Sequence, residues 1–139
     1  MSVTSFYPVL MARDVAAAAA FYRDVIGFDV VFDSSWYVSM QHGAFELAIV
    51  EAGHETIPQG YSAPSQGLLL NLEVDNVDDV HQRLTTDHDL KVLLPLRSEE
   101  FGQRHFIVEA PGGILLDVIQ PIEPTGEFAA AYVGDAISG

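Results

Sequence analysis

Apolar and polar positions along the chain follow two periods, and the switches between them mark the elements. Ser5 to Met11 is an apolar, β-prone run interrupted by Pro8, which predicts an edge strand or a bulge because proline has no N–H to give to a ladder. Asp14 stands as an N-cap before a helix over Val15 to Ile26: an alanine run, then Phe21, Tyr22, Val25 and Ile26 on one apolar stripe expected to be core. Gly27 sits where a helix-ending glycine belongs. Phe28 to Asp33 reads as a strand and Ser34-Ser35 as a turn. Trp36 to Gln41 then alternates, with Trp36, Val38 and Met40 on one face and Tyr37, Ser39 and Gln41 on the other. His42-Gly43 turns the chain into a further strand, Ala44 to Glu51, which carries Glu46.

Ala52 to Gln66 is polar, holds Gly53, Pro58, Gly60 and Pro64, and reads as a loop. The pattern then restarts. Gly67 to Val74 predicts a strand. Asn76 caps a helix from Val77 to about Asp87, with Val80, His81 and Leu84 on its stripe. Lys91 to Leu96 predicts a strand and Arg97 to Gly102 a loop. Two β-rich runs, Gln103 to Ala110 and Ile114 to Gln120, flank Pro111-Gly112-Gly113, a strong hairpin signal. Each half is thus β-α-β-β-β, a weak internal repeat in which Met11 to Val15 corresponds to Glu73 to Val77. The fold class expected is α+β: one domain over 1–139, built of two βαβββ modules (about 4–51 and 67–121) that form a curved mixed sheet with a cleft. The tail, 122–139, is Ala- and Gly-rich from Gly126 onward and is either mobile or a short packed helix.

Composition narrows the function. At 49% hydrophobic and 19% charged, the 139-residue chain has the make-up of an ordinary soluble globular protein. It has no cysteine, so a disulfide, a thiolate metal site and a catalytic thiol are all excluded. No apolar run approaches the length of a membrane span and no secretory pattern opens the chain, so a cytoplasmic location is expected. The formal net charge of −14 argues against nucleic acid, whose binding requires a basic patch, and favours cationic ligands at a cleft. One carboxylate, Asp117, sits between Leu116 and Val118. It either faces solvent by plain alternation or lines a polar cavity, because burying it unpaired is costly.

The motifs resemble the vicinal oxygen chelate superfamily, which includes glyoxalase I, extradiol dioxygenases, and fosfomycin- and bleomycin-resistance proteins. Asp14 through Phe28 is similar to the family's first helix with its Phe-Tyr-x-x-x-x-Gly-Phe ending, and Glu73 to Val77 to the start of its second. Phe101-Gly102-Gln103-Arg104-His105-Phe106, followed by Ala110 to Gly113, is similar to its Trp-Gly-x-Arg-x-Phe and Asp-Pro-x-Gly segments. In metal-dependent members the resemblance places ligands near Tyr7, Glu46, Leu69 (or Leu68) and Asp117. Glu46 and Asp117 can bind a divalent ion, tyrosine is a poor ligand at neutral pH, and leucine cannot ligate. A catalytic metal needs about three protein ligands, so the expectation is no metal and no cofactor. If a metal binds after all, His105 (or His42) has to join Glu46 and Asp117.

Phe32 to Gly43, with its Trp-bearing strand, is similar to the corresponding segment of bleomycin-resistance-type proteins, which are acidic, dimeric and metal-free. The resemblance therefore implies a homodimeric protein that sequesters a small, partly aromatic and cationic drug or natural product, rather than an enzyme. The alternative is a metal-dependent glyoxalase-type lyase, isomerase or dioxygenase. The candidate ligand-binding residues are Tyr7, Trp36, Glu46, Leu69, Asn71, Phe101, Arg104 and Asp117. Trp36 is either a stacking wall or strand core. Arg104 either counters a carboxylate or packs its stem. Phe101 either lines the cleft mouth or anchors its loop. Glu46 and Asp117 are expected to point into one cleft, with Asn71 sharing the parity of Leu69.

Overall fold

The computed structural model describes residues 1–133. Elements run β1 (Val9–Ala12), α1 (Val15–Phe21), a π-helical turn (Tyr22–Ile26), β2 (Asp29–Asp33), β3 (Tyr37–His42) and β4 (Phe45–Glu51). They continue with β5 (Leu69–Glu73), α2 (Val77–Asp87), β6 (Val92–Glu99), β7 (Gln103–Ala110), a 3-10 turn (Pro111–Gly113), β8 (Ile114–Pro121) and a short 3-10 helix (Gly126–Ala130). The two βαβββ modules are present as two four-stranded mixed sheets, ordered β1-β4-β3-β2 and β5-β8-β7-β6. In each, the first strand pairs in parallel with the last. The chain divides into two compact units, Met1–Gly67 with Ala110–Gly113, and Leu68–Glu109 with the chain from Ile114 on. No helix among the described residues is long and apolar enough to cross a membrane.

In the first unit the caps act as their residue types dictate. Asp14 accepts from the Ala17 N–H at 3.0 Å, and Gly27 ends the helical segment at φ 99, a left-handed conformation that side chains with a Cβ resist. The expected stripe Phe21, Tyr22, Val25, Ile26 is corrected. Only Tyr22 is buried; the buried positions are Val15, Ala18, Ala19 and Tyr22. The π-turn that begins at Tyr22 takes more residues per turn than an α-helix and so carries Val25 and Ile26 off the face a regular helix would present, while the small alanines let α1 lie close on β3 and β4. The first strand is also shorter than expected. Pro8 donates nothing and joins the sheet only through its carbonyl, which accepts from the Ala48 N–H, so pairing begins at Val9.

The second unit buries Phe106, Val108, Leu116 and Val118, and Val77 and Leu84 of α2. Asn76 caps α2 by accepting from the Asp79 N–H. The loop expected at Arg97 to Gly102 is corrected: β6 continues through Glu99. Register shifts between Val92 and Leu94 and between Leu94 and Arg97 break the two-residue period, and Pro95 is tolerated because β6 is an edge strand. The tail forms a 3-10 helix whose Phe128 meets Phe101 edge-on at 6.1 Å, and the Tyr132 hydroxyl donates to the Phe101 carbonyl at 2.7 Å. The remainder of the expected tail, 134–139, lies outside the described residues.

Candidate functional site

Each sheet has a helix on one face, so the other face is the one available for chemistry. In the first unit α1 packs on β3 and β4, whose Val38, Met40, Leu47 and Ile49 are buried. Alternation and register put Tyr37, Ser39 and Gln41 of β3 on the helix-free face, with Glu46, Ala48 and Val50 of β4 opposite them. Glu46 is half-buried there. Its carboxylate accepts from the Ser5 hydroxyl and, at 3.2 Å, from the Gln41 amide. No ion pair among the described residues involves it. A groove of about 370 Å³ opens beside it, lined by Thr4, Ser5, Phe6, Ala44, Phe45 and Glu46, and the phenyl rings of Phe6 and Phe45 are exposed. A carboxylate and exposed aromatic rings lining one groove are a setting for a cation. Tyr7 is exposed and precedes β1 rather than lying in it. Burial, and then the Tyr7 hydroxyl beside it, raise the Tyr37 phenol above its ordinary pKa.

Trp36 is not part of this face. It precedes β3 by one residue and shares the parity of Val38 and Met40, so it does not share the face that carries Glu46. Its ring is half-exposed and stacked under the imidazole of His54.

In the second unit the even-numbered residues of β7 and β8 meet α2. Phe106 is edge-on to His81 at 4.8 Å, the Arg104 guanidinium donates twice to the Asp78 carboxylate, and Gln120 accepts from the Val77 N–H. Arg104 therefore counters a carboxylate on the helix side, and its expected place in the ligand site is corrected. Asp117 has the opposite parity and lies on the helix-free face, where its register partner is Asn71. Asn71 and Leu69 share that face and are exposed.

Asp117 is only 4% exposed and does not stand alone. The His105 ring, equally buried, brings Nδ1 to within 2.8 Å of Asp117 Oδ1 and Nε2 to within 3.0 Å of Glu99 Oε2. The same Glu99 oxygen accepts from Arg97 at 3.1 Å. Asp117, His105, Glu99 and Arg97 thus form one chain of hydrogen bonds across β8, β7 and β6. The His105 and then the Arg97 hydrogen bonds hold the Glu99 carboxyl below the usual carboxylate range. Phe101 sits at the β6–β7 turn, edge-on to His105 at 6.2 Å. His105, expected beside Asp117 only in the metal-binding alternative, meets it directly, and Glu99 was missed because Arg97 to Gly102 read as a polar loop. Parity with Asp117 was the available signal, but it depends on the hairpin register, which sequence leaves open.

The family model described as the Glyoxalase/Bleomycin resistance protein/Dioxygenase superfamily matches residues 5–118. The chain belongs to this superfamily. Among solved structures that resemble this member, a glyoxalase/bleomycin resistance protein/dioxygenase from Nocardioides has a TM-score of 0.74 at 16% identity, covering 91% of this chain and 89% of its own. A lactoylglutathione lyase from Agrobacterium tumefaciens has a TM-score of 0.70 at 20% identity, covering 86% and 96%. A protein of unknown function from Agrobacterium tumefaciens has a TM-score of 0.69 at 25% identity, covering 88% and 97%. The first two likenesses show the fold alone. No curated protein sequence matches the chain.

Metal-dependent members of the superfamily need a donor set, and the residues at the matched positions here do not fit one. Leu69 has no donor atom. The Tyr7 hydroxyl lies against Tyr37. His105, the added candidate, has both ring nitrogens committed to carboxylates. Among the described residues no group of three or more His, Cys, Asp or Glu side chains is arranged to hold an ion.

Proposed function

We propose that this superfamily member is a metal-independent binding protein of the bleomycin-resistance type, a homodimer that sequesters a small, partly aromatic, cationic compound. The observation that carries this reading is Glu46. It is a half-buried carboxylate with no cationic partner among the described residues, oriented by Ser5 and Gln41 and flanked by a groove whose exposed rings are phenyl groups. Two hydrogen bonds leave about half of its lone-pair capacity for a guest. The overall charge of −14 raises the local concentration of cations at such a groove. Asp117 plays a different part in this reading: its carboxylate is already engaged by the His105 ring, so it shapes the sheet and does not itself grip the ligand.

The test is titration with proflavine, a planar acridine cation, read by thermal shift and by fluorescence. Binding that weakens about tenfold in Glu46→Gln, the loss of one charge-assisted contact, supports the reading. Equal affinity in that variant overturns it. So does about one equivalent of Zn, Ni, Mn or Fe per chain, in protein purified without chelator, together with lyase, isomerase or dioxygenase turnover; that pair of results establishes the metal-dependent alternative.

A further inference from the structure

β2 forms one edge of the first sheet and β6 one edge of the second. An edge strand leaves N–H and C=O groups open to pairing, and proteins blunt such edges with charge, proline, bulges or short length. Both edges here are blunted, but with opposite charge. β2 reads Asp-Val-Val-Phe-Asp, and all five residues are exposed. Among the described residues Asp29 makes no hydrogen bond or ion pair, and Asp33 accepts only from the Ser35 N–H. In β6 the bracketing residues are bases. Lys91, the chain's single lysine, immediately precedes the strand, Arg97 lies within it, and Val92 and Leu93 between them are exposed. Lys91 pairs with Glu109 and Arg97 with Glu99, but both basic side chains are more than half exposed. Such pairs contribute little, so both cations can turn to a partner.

The spacing of the charges agrees as well. Asp29 and Asp33 lie opposite Gln41 and Val38, three steps along β3, or about 10 Å. Arg97 lies opposite His105, and the Lys91 carbonyl accepts from the Glu109 N–H. The two bases are therefore four steps of β7 apart, about 14 Å. Bulges in both strands compress these runs, and lysine and arginine are long enough to span the one-step difference.

Charge decides which edges can meet. Two copies at a formal −14 repel each other, and each chain has six basic residues with which to offset that. β2 against β2 sets aspartate against aspartate, and β6 against β6 sets base against base, in either strand direction. Like charges brought together across an interface are strongly unfavourable. β2 against β6 gives every bracketing charge its opposite and lays Val31 and Phe32 of one strand by Val92 and Leu93 of the other. Pro95 offers no N–H and the bulges bend both strands, so the contact ends after a few residues and does not run on as a sheet. We infer that β2 of one copy docks edge to edge on β6 of a second copy. This names the surface of the homodimer in the proposed function; it rests on that part of the reading and not on the groove beside Glu46.

Light scattering and sedimentation over a concentration series read the association constant. Asp29→Lys combined with Asp33→Lys weakens association at least tenfold, and so does Lys91→Glu combined with Arg97→Glu. Lys91→Glu alone leaves the Arg97–Glu99 pair in place, guards against a folding defect, and weakens association in the same direction. An equimolar mixture of the two double variants regains association close to that of the wild type, because reversed β2 then meets reversed β6 while the native edges meet each other. Glu46→Gln associates as the wild type does. A wild-type chain that stays monomeric, a charge-reversed variant that associates normally, a mixture no stronger than its components, or association that falls with Glu46→Gln would overturn the inference. Proflavine titration of the same samples keeps the two readings apart: a monomer that binds proflavine through Glu46 removes this interface and leaves the cation groove standing.

Discussion

Tyr22 carries a hydroxyl that finds no hydrogen-bond partner among the described residues, although the residue is only 2% exposed. Burial pushes its phenol up to about 12. Deleting an unsatisfied buried donor removes a desolvation penalty, so Tyr22→Phe is expected to raise stability by about 1 kcal/mol in urea unfolding; a loss of stability would mean the hydroxyl is satisfied. The raised pKa also has a sign. The folded chain holds this proton more tightly than the unfolded one, so the contribution is complete below pH 10.0, the ordinary phenol value, and is lost as pH climbs toward about 12. The phenylalanine variant lacks that alkaline loss. Glu99 works in the opposite sense. Its carboxyl is held below the ordinary value of 4.5 by its hydrogen bonds from His105 and then Arg97, so its contribution is present above that value and disappears as pH falls through the depressed one. The stability gap between wild type and Glu99→Gln should therefore be widest at neutral pH and close on acidification. A gap independent of pH would remove Glu99 from the chain of hydrogen bonds. Asp117→Ala leaves His105 facing an empty buried position and should cost roughly 3 kcal/mol, whereas Asp117→Asn keeps an acceptor oxygen and should cost clearly less.

The elements that carry the candidate site depend on two glycines with different neighbours. Gly27 ends the π-turn at φ 99, but a Cβ there would meet only His42 Cδ2 at 4.0 Å. Gly27→Ala is thus a purely conformational change, worth about 1 kcal/mol. Gly102, in the β6–β7 turn beside Phe101, has φ 107, and a Cβ there would lie 2.7 Å from the Tyr132 hydroxyl and 3.1 Å from the Ile122 carbonyl. One of these obstacles is backbone and cannot rotate away. Gly102→Ala should therefore be the worse substitution, by up to about 3 kcal/mol, and it should release the Tyr132–Phe101 bond, seen as faster proteolysis of the C-terminal segment. Equal losses at the two glycines would mean that the segment after β8 does not strap the turn.

At the scale of the whole molecule, charge and assembly set the expectations. With 20 acidic and 6 basic residues, attraction of a cation is long-ranged and screened by salt. Proflavine affinity should fall as ionic strength rises, and an affinity independent of salt would mean that charge does not hold the ligand. The homodimer that belongs to the proposed function is checked by light scattering coupled to size exclusion; a monomer that still binds proflavine would show that the groove beside Glu46 is complete within one chain.

What the sequence determined by itself is what short-range chemistry enforces. Asp14 and Asn76 could be read as caps because a short side-chain oxygen satisfies N–H groups that a helix start leaves open, and Pro111-Gly112-Gly113 could be read as a hairpin turn because few other residues accept its backbone angles. The repeated β-α-β-β-β order followed from these signals and from periodicity. What only the tertiary structure decided is partnership across strands. His105 and Asp117 lie twelve residues apart, and which ring nitrogen meets which carboxylate depends on a register that a one-residue slip reverses. Glu99 joined them only because bulges carry β6 past the point where its alternation fails. The covering of Trp36 by a histidine from a structureless loop leaves no periodic trace at all, since a loop's path is set by the surfaces it finds, not by the spacing of its residues.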